Sequence, residues 1–260
     1  MLWLWISLGA VAAIALIVLF VWFNNSCLKT TKLKIEIGGA RSLKIVHLSD
    51  LHGKRFGRGN IRLLNKTAKE KPDFIAVTGD IIHLYTQKNK SAALELIASL
   101  KEIAPVLYVS GNHEMRNKGY HFFRKELLEA GADVLDDRIT KVCGITVAGL
   151  NCASLRNDKI FKITPVNSPK ILLAHEPQFF GKYAEAGYDL ILCGHAHGGQ
   201  WRIPFTGIGL FAPGQGKFPK YTSGVHEKGK SKMIISRGLG NSQCPLRLFN
   251  RPEIVVIEIN

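Results

Sequence analysis

Charge is absent from the first 23 residues of this 260-residue chain. All 35 Lys and Arg and all 20 Asp and Glu, a net formal charge of +15, therefore fall on residues 24–260. Cysteine is scarce. Five in the whole chain exclude a disulfide scaffold, and the odd count agrees with a reducing compartment. There is no glycine period, no sustained heptad, no internal repeat and no low-complexity tract, which excludes collagen-like and coiled-coil architectures. No recognisable nucleic-acid-binding module is present. An apolar fraction of 46 % is above that of a disordered chain. The composition thus averages two unlike parts, an apolar N-terminus and a basic remainder large enough for one large domain or two small ones.

Residues 2–23 read LWLWISLGAVAAIALIVLFVWF, with Ser7 as the one polar side chain. As a helix this run is about 33 Å long, close to the roughly 30 Å hydrocarbon core of a bilayer. Trp3 and Trp5 at one end and Trp22 at the other fit an aromatic belt. A cleaved secretory signal is the competing reading. It needs a basic n-region, a shorter apolar core and a small-x-small cleavage site. Nothing basic precedes this run, and Phe23-Asn24-Asn25-Ser26-Cys27 is a poor cleavage sequence. The expectation is an uncleaved single-pass anchor of the cell (inner) membrane over residues 1–23. Lys29, Lys32, Lys34, Arg41 and Lys44 follow the run and no basic side chain precedes it, so the positive-inside rule keeps the following domain in the cytoplasm. No twin-Arg precedes the run, in line with that placement. No lipobox surrounds Cys27, which reads as a plain interfacial thiol. Cys143, Cys152 and Cys193 read as buried free thiols at strands or strand ends.

Residues 24–42 read as a juxtamembrane linker and a first strand, with Leu33, Ile35 and Ile37 alternating with polar residues before a Gly38-Gly39 turn. Strands are expected at 43–48, 74–77, 106–109, 171–174, 190–193 and 254–259, with a hairpin of 139–142 and 145–150 across Cys143-Gly144. Asn60 is expected to cap a helix burying Ile61, Leu64 and Ala68. Leu94, Ile97 and Leu100 mark a second helix, and 120–130 a third, closed by Gly131. The pattern is α/β, turning strand-rich later.

Five polar clusters follow short apolar runs: Asp50-Leu51-His52, Gly79-Asp80, Gly111-Asn112-His113-Glu114, His175, and Gly194-His195-Ala196-His197. Ligands bind at strand ends in α/β folds. Mixed carboxylate, amide and imidazole donors suit Mn, Fe or Zn better than Ca or a thiolate site. Turn-forming and capping preferences of His and Asp can explain one or two such clusters, but not the whole set.

In this order the clusters resemble the calcineurin-like metallophosphoesterases, over residues 43–260. Ser49-Asp50-Leu51-His52-Gly53, Gly194-His195-Ala196-His197-Gly198-Gly199-Gln200, Ser236-Arg237-Gly238-Leu239-Gly240 and Arg247 before Pro252-Glu253-Ile254 resemble its membrane-anchored YaeI/YkuE-type branch, related to UDP-2,3-diacylglucosamine hydrolases. The resemblance implies a four-layer sandwich, two mixed sheets flanked by helices, preceded by the transmembrane helix. It implies two divalent metal ions, Mn first, with Fe or Zn as alternatives. Asp50, His52 and His197 would hold one ion and Asn112, His175 and His195 the other, with Asp80 bridging. His113 would be the general acid rather than a ligand. Two-metal sites hold phosphoryl oxygens and activate water, and a positioned imidazole adds about 10²–10⁴-fold. The sequence departs from the common pattern at Glu114, where Asp is usual, and at His83, where the branch often has Asp. Glu114 is expected to support the ligands with its longer reach. His83 reads as a surface residue or a substrate contact. His47 reads as a packed histidine, and His121 and His226 as surface residues.

The expected function is hydrolysis of a phosphodiester or pyrophosphate bond in an anionic, amphiphilic substrate such as a UDP-diacylglucosamine. The alternatives are a nuclease or nucleotide phosphodiesterase, and a membrane-tethered metal-binding module without turnover. The +15 charge beside an anchor points to anionic partners, membrane lipids among them. The stretch Trp201–Tyr221 interleaves aromatics with Arg202, Lys217 and Lys220, and reads either as a lipid-facing rim or as a packed loop.

Overall fold

In this computed structural model residues 1–38, 42–154, 160, 162–165, 169–241 and 244–260 are described. Gly39 of the expected Gly38-Gly39 turn and Arg41 lie outside the described residues. The chain begins with α1 (Leu2–Ser26), β1 (Lys29–Ile35), β2 (Leu43–Leu48), α2 (Ile61–Lys69), β3 (Phe74–Thr78), α3 (Gln87–Lys101) and β4 (Val106–Val109). It continues through α4 (Asn112–Met115), α5 (Tyr120–Glu129), β5 (Ala132–Val134), β6 (Arg138–Val142), β7 (Ile145–Gly149), β8 (Lys170–Leu173), α6 (Phe180–Glu185) and β9 (Leu190–Cys193). It closes with β10 (Phe211–Ala212), β11 (Gly216–Lys217), β12 (Gly224–Lys228), β13 (Ser231–Ile235) and β14 (Glu253–Ile259).

Two mixed six-stranded sheets form, in the orders β1-β14-β2-β3-β4-β5 and β12-β13-β9-β8-β7-β6. Side chains alternate across each strand, and both faces are covered, so the central strands read as unbroken apolar runs. In β3, Phe74 and Ala76 point between the sheets and meet Leu107, Ile171, Leu192 and Ile234. Ile75 and Val77 point the other way, onto Leu63 of α2, Leu96, Ile97 and Leu100 of α3, and Phe123 and Leu127 of α5. On the far side of the second sheet, Leu172, Ile191 and Met233 pack with Phe180 and Tyr183 of α6. The layers are helix, sheet, sheet, helix.

β1 is the edge strand of the first sheet, parallel to β14 from the Lys29–Glu253 pair to Ile35–Ile259. The expected hairpin is present, with Cys143 and Gly144 both at positive φ in a two-residue turn between β6 and β7. α2 differs from its expectation. Asn60 holds the N-cap position, but its side chain does not cap the helix; its Oδ1 accepts the Phe56 amide at 2.9 Å. The helix starts after a 3-10 turn at Arg58–Asn60; Leu63 and Thr67 are buried, Leu64 packs half-buried against the core as expected, and Ile61 and Ala68 are exposed. The thiols also differ. Cys193 is buried, but Cys143 sits half-buried in the hairpin turn and Cys152 half-buried on a loop.

α1 is apolar on all sides and exposed along nearly its whole length. It is long and apolar enough to cross a membrane. Its C-terminal end is tied to the domain. Asn25 Oδ1 accepts the Arg247 amide at 2.9 Å, and Asn25 Nδ2 donates to the Arg247 carbonyl at 3.1 Å.

Candidate metal centre

The seven expected ligand positions converge from the two sheets. Asp50 and His52 follow β2, Asp80 follows β3, and Asn112 opens α4 just after β4. His175 follows β8, and His195 and His197 follow β9. Leaving a strand sharply enough to turn a side chain back over its end requires unusual backbone. Asp50, His52, Asp80, His195 and His197 all have φ between 48° and 66°. That left-handed region is costly for residues with a Cβ and is a mark of sites that need a particular orientation. Space is equally tight. A Cβ on Gly194 would run into Ser49 and the Asp50 carboxylate, and one on Gly111 into the Asp80 carboxylate.

Two groups result. The ligand atoms of Asp50, His52 and His197 lie within 4.8 Å of one another, as do those of Asp80, His175 and His195. His52 Nε2 faces His197 Nε2 at 3.1 Å, and His197 Nε2 lies 3.5 Å from Asp50 Oδ1. His175 Nε2 lies 3.1 Å from His195 Nδ1 and 3.2 Å from Asn112 Oδ1. Asp80 Oδ2 lies between the groups, 3.3 Å from His175 Nε2 and 3.6 Å from His52 Nε2.

Hydrogen bonds outside the groups fix these side chains. The Thr78 carbonyl, 2.7 Å from His175 Nδ1, accepts that N–H and aims Nε2 into its group. The His195 amide donates to both Asp50 oxygens at 3.0 Å. Glu114 is fully buried, and its carboxylate accepts the amides of Asp80 and Gly111 at 2.9 Å and of Ile82 at 3.3 Å.

The electrostatics follow from burial. It pushes His52 and His195 down to about 3 and His197 well below its ordinary value, so these imidazoles are neutral donors. Burial also raises Asp50 to about 6 and, with the Asp80 charge beside it, Glu114 to about 8. Burial alone would lower His175, but Asp80 and Asp50 carry it up to about 10. Three neutral imidazoles and the carboxylates thus crowd together around His175, which Asp80 and Asp50 hold protonated. A divalent cation in each group would satisfy them, and the donor set suits a transition metal. The residues present therefore fit a dinuclear centre.

His113 lies outside these two groups but forms the third, with His52 and His83, whose ring nitrogens lie within 4.8 Å of one another. Its amide donates to Asp80 Oδ1 at 2.9 Å, and its half-exposed ring sits edge-on to His52, centroids 4.8 Å apart. His83 is exposed, yet its ring lies 5.0 Å from that of His113, at the rim of the site. His47 is buried, with Nε2 2.8 Å from Thr78 Oγ1. His121 is exposed, whereas His226 is half-buried with its ring 5.1 Å from Tyr221, not the surface residue expected.

A cleft of 170 Å³ opens over Asp80, Asn112, His113, His195 and His197. Arg116 and Glu176 also line it, and both border an adjoining cleft of 290 Å³ beside Cys152. The Cys152 thiol donates to Glu176 Oε2 at 3.0 Å. The sequence reading missed both residues. Glu176 follows His175 directly, and Arg116 comes one helical turn after Asn112, which is the signal that could have found them. The stretch Trp201–Tyr221 is partly packed and partly bare. Tyr221 packs on Phe180, while Phe205 and Phe218 are fully or mostly exposed.

Residues 43–199 match the calcineurin-like phosphoesterase family. Phosphodiesterase YaeI of Escherichia coli (strain K12) is 31 % identical over 230 residues, 85 % of this chain and 83 % of that protein. The uncharacterized metallophosphoesterase YkuE of Bacillus subtilis (strain 168) is 30 % identical over 249 residues, 88 % of this chain and 83 % of that protein. The crystal structure of TT1561 of Thermus thermophilus covers 76 % of this chain and 90 % of its own, at 14 % identity and a TM-score of 0.48.

Proposed function

The chain belongs to the calcineurin-like phosphoesterases and is a metal-dependent phosphoesterase, and on that premise we propose a membrane-anchored, dimetal phosphodiesterase for amphiphilic phosphodiesters or pyrophosphates. Asp50, His52 and His197 would hold one cation, and Asn112, His175 and His195 the other. The observation that carries this reading is Asp80 Oδ2, placed within 3.3–3.6 Å of an imidazole of each group. When bound, two divalent cations supply Lewis-acid polarisation of phosphoryl oxygens and a lowered pKa for the attacking water.

The chain's own residues do the rest. Asp80 anchors the His113 backbone through the amide bond to Oδ1. His113 Nδ1 lies 3.4 Å from the His83 carbonyl, which orients the ring; in its imidazolium form the Nε2–H would protonate the leaving oxygen. Arg116 sets a fixed positive charge in the cleft for a phosphoryl group, and the Glu176 carboxylate lines the same cleft. The anchor is α1, whose length and all-round apolar surface support a membrane span. The basic residues that follow it support a cytoplasmic domain. Oxygen and imidazole donors with no thiolate suit Mn, Fe or Zn, of which we propose manganese.

The test is a substrate panel with the full-length purified protein and Mn²⁺: UDP-2,3-diacylglucosamine, a lipid diphosphate, a nucleotide diester and single-stranded DNA. Preferential hydrolysis of the acylated substrates is the expected result. Faster cleavage of DNA would make the protein a nuclease. No turnover on any member, with metal bound, would leave a metal-binding module.

A further inference from the structure

A second pocket lies away from the catalytic cleft, where α1 meets the domain. It measures 420 Å³, and its walls combine cations with aromatic rings. Lys29, Arg202, Arg237 and Arg251 supply the charge. Among the described residues one carboxylate answers them, Glu253, whose Oε1 pairs with Arg237 Nη2 at 3.2 Å. Lys29 makes no ion pair there, and Arg237 Nε is buried without a hydrogen-bond partner. Arg237 first, then burial, holds the Lys29 ammonium below its ordinary value. Arg202 donates to the Gly198 and Gly207 carbonyls and Arg251 to those of Cys27 and Leu28, so their charges are fixed in place without a carboxylate.

The apolar side of the pocket is continuous with α1. The Phe20 ring lies 5.0 Å from Phe249, and Arg251 sits 4.4 Å over the Phe23 ring. Phe205 and Phe249 project into solvent, and both hold left-handed backbone at φ 64° and 52°. Bulky residues rarely adopt that conformation, and here it presents aromatic rings outward beside the end of an apolar helix. If α1 spans a bilayer, these rings stand at the level where hydrocarbon gives way to headgroups, with the cations around them.

We propose that this pocket holds the headgroup of an acidic phospholipid, its phosphate among Lys29, Arg202, Arg237 and Arg251 and its acyl chains along Phe20, Phe205 and Phe249. The proposal rests on the membrane anchoring given above, but not on the catalytic reading. The bound lipid would seat the domain against the bilayer at a second point and fix its tilt relative to α1. The contact is charge-complementary, four basic side chains meeting an anionic headgroup.

The experiment uses the full-length protein in nanodiscs of equal phosphatidylcholine and phosphatidylglycerol, released for native mass spectrometry. The expected result is retention of phosphatidylglycerol over phosphatidylcholine by about tenfold, with Lys29→Gln and Arg237→Gln each cutting that preference by about fivefold. Arg237 pairs with buried Glu253, so Arg237→Gln can fail to fold; circular dichroism identifies that case, and Lys29→Gln, on a half-buried edge strand, then carries the test. Equal retention of the two lipids, or a preference unchanged in the folded variants, overturns the proposal. Displacement of the lipid by millimolar inorganic phosphate would assign the pocket to free phosphate and overturn the lipid source. Release of the chain from membranes by alkaline carbonate would instead remove the anchor on which the proposal rests.

Discussion

The carboxylate of Glu114 holds the backbone of Asp80 in place: its Oε2 accepts the Asp80 amide at 2.9 Å, and the same oxygen accepts the Gly111 amide. Two strand-end turns, after β3 and β4, are thereby locked by one buried side chain. Burial and the Asp80 charge push the Glu114 carboxyl up to about 8, so this lock strains against its own ionisation. A cation beside Asp80 would relieve that strain.

Glu114→Ala should therefore loosen the turns. It leaves the amides of Asp80, Gly111 and Ile82 without their acceptor. Each unsatisfied buried group costs about 1–3 kcal/mol, so a loss of roughly 3 kcal/mol or more is expected. Urea unfolding of the variant measures it. A change within about 0.5 kcal/mol, the range of an ordinary surface substitution, would contradict the role given to Glu114.

His113→Ala should lower turnover without removing metal. The expected loss is about 10²–10⁴-fold on a substrate with an alkoxide leaving group. A nitrophenyl ester leaves without protonation, so its hydrolysis should fall much less. The ratio of the two losses is the measurement. Equal losses would show that His113 does not act on the leaving oxygen.

Much of the site was legible because chemistry and strand ends coincide. Asp50, Asp80, Asn112, His175, His195 and His197 each follow an apolar run that is buried on both faces, and such runs stand out without any periodicity. The two sheets and the hairpin at Cys143-Gly144 follow from the same signal. Less legible were elements whose place is set by partners. β12 is a polar edge strand, visible only through its pairing with β13. The α2 face was only partly assigned: Leu64 does meet the core, but Leu63 and Thr67 bury deeper, while Ile61 and Ala68 face solvent. The role of His83 beside His113, and of Arg116 and Glu176 in the cleft, depends on contacts between distant loops that no local pattern encodes.

His47 gives a pH dependence separable from the proposed ligands. Burial pushes it down to about 3 from 6.5. Between those values the unfolded chain binds a proton that the folded chain does not. The stability associated with neutral His47 is thus complete above 6.5 and declines as pH falls toward 3. Asp50 and Glu114, both raised, act in the opposite sense over part of this range, so the comparison must be between variants. From pH 6.5 to about pH 5 the metal-free wild type should lose about 2 kcal/mol more stability than His47→Gln. Urea midpoints at the two pH values give the difference. Parallel pH profiles would contradict a neutral, buried His47.

The central claim is a dinuclear centre organised around Asp80. Its most direct test is metal stoichiometry by mass spectrometry, after the full-length protein is stripped with chelator, reloaded with Mn²⁺ and dialysed, alongside Asp80→Asn. The account predicts about two ions per wild-type chain, with activity returning as they bind, and about one or fewer in Asp80→Asn with activity lost. A wild type saturating at one ion, or an Asp80→Asn protein that holds two and turns over normally, would contradict it.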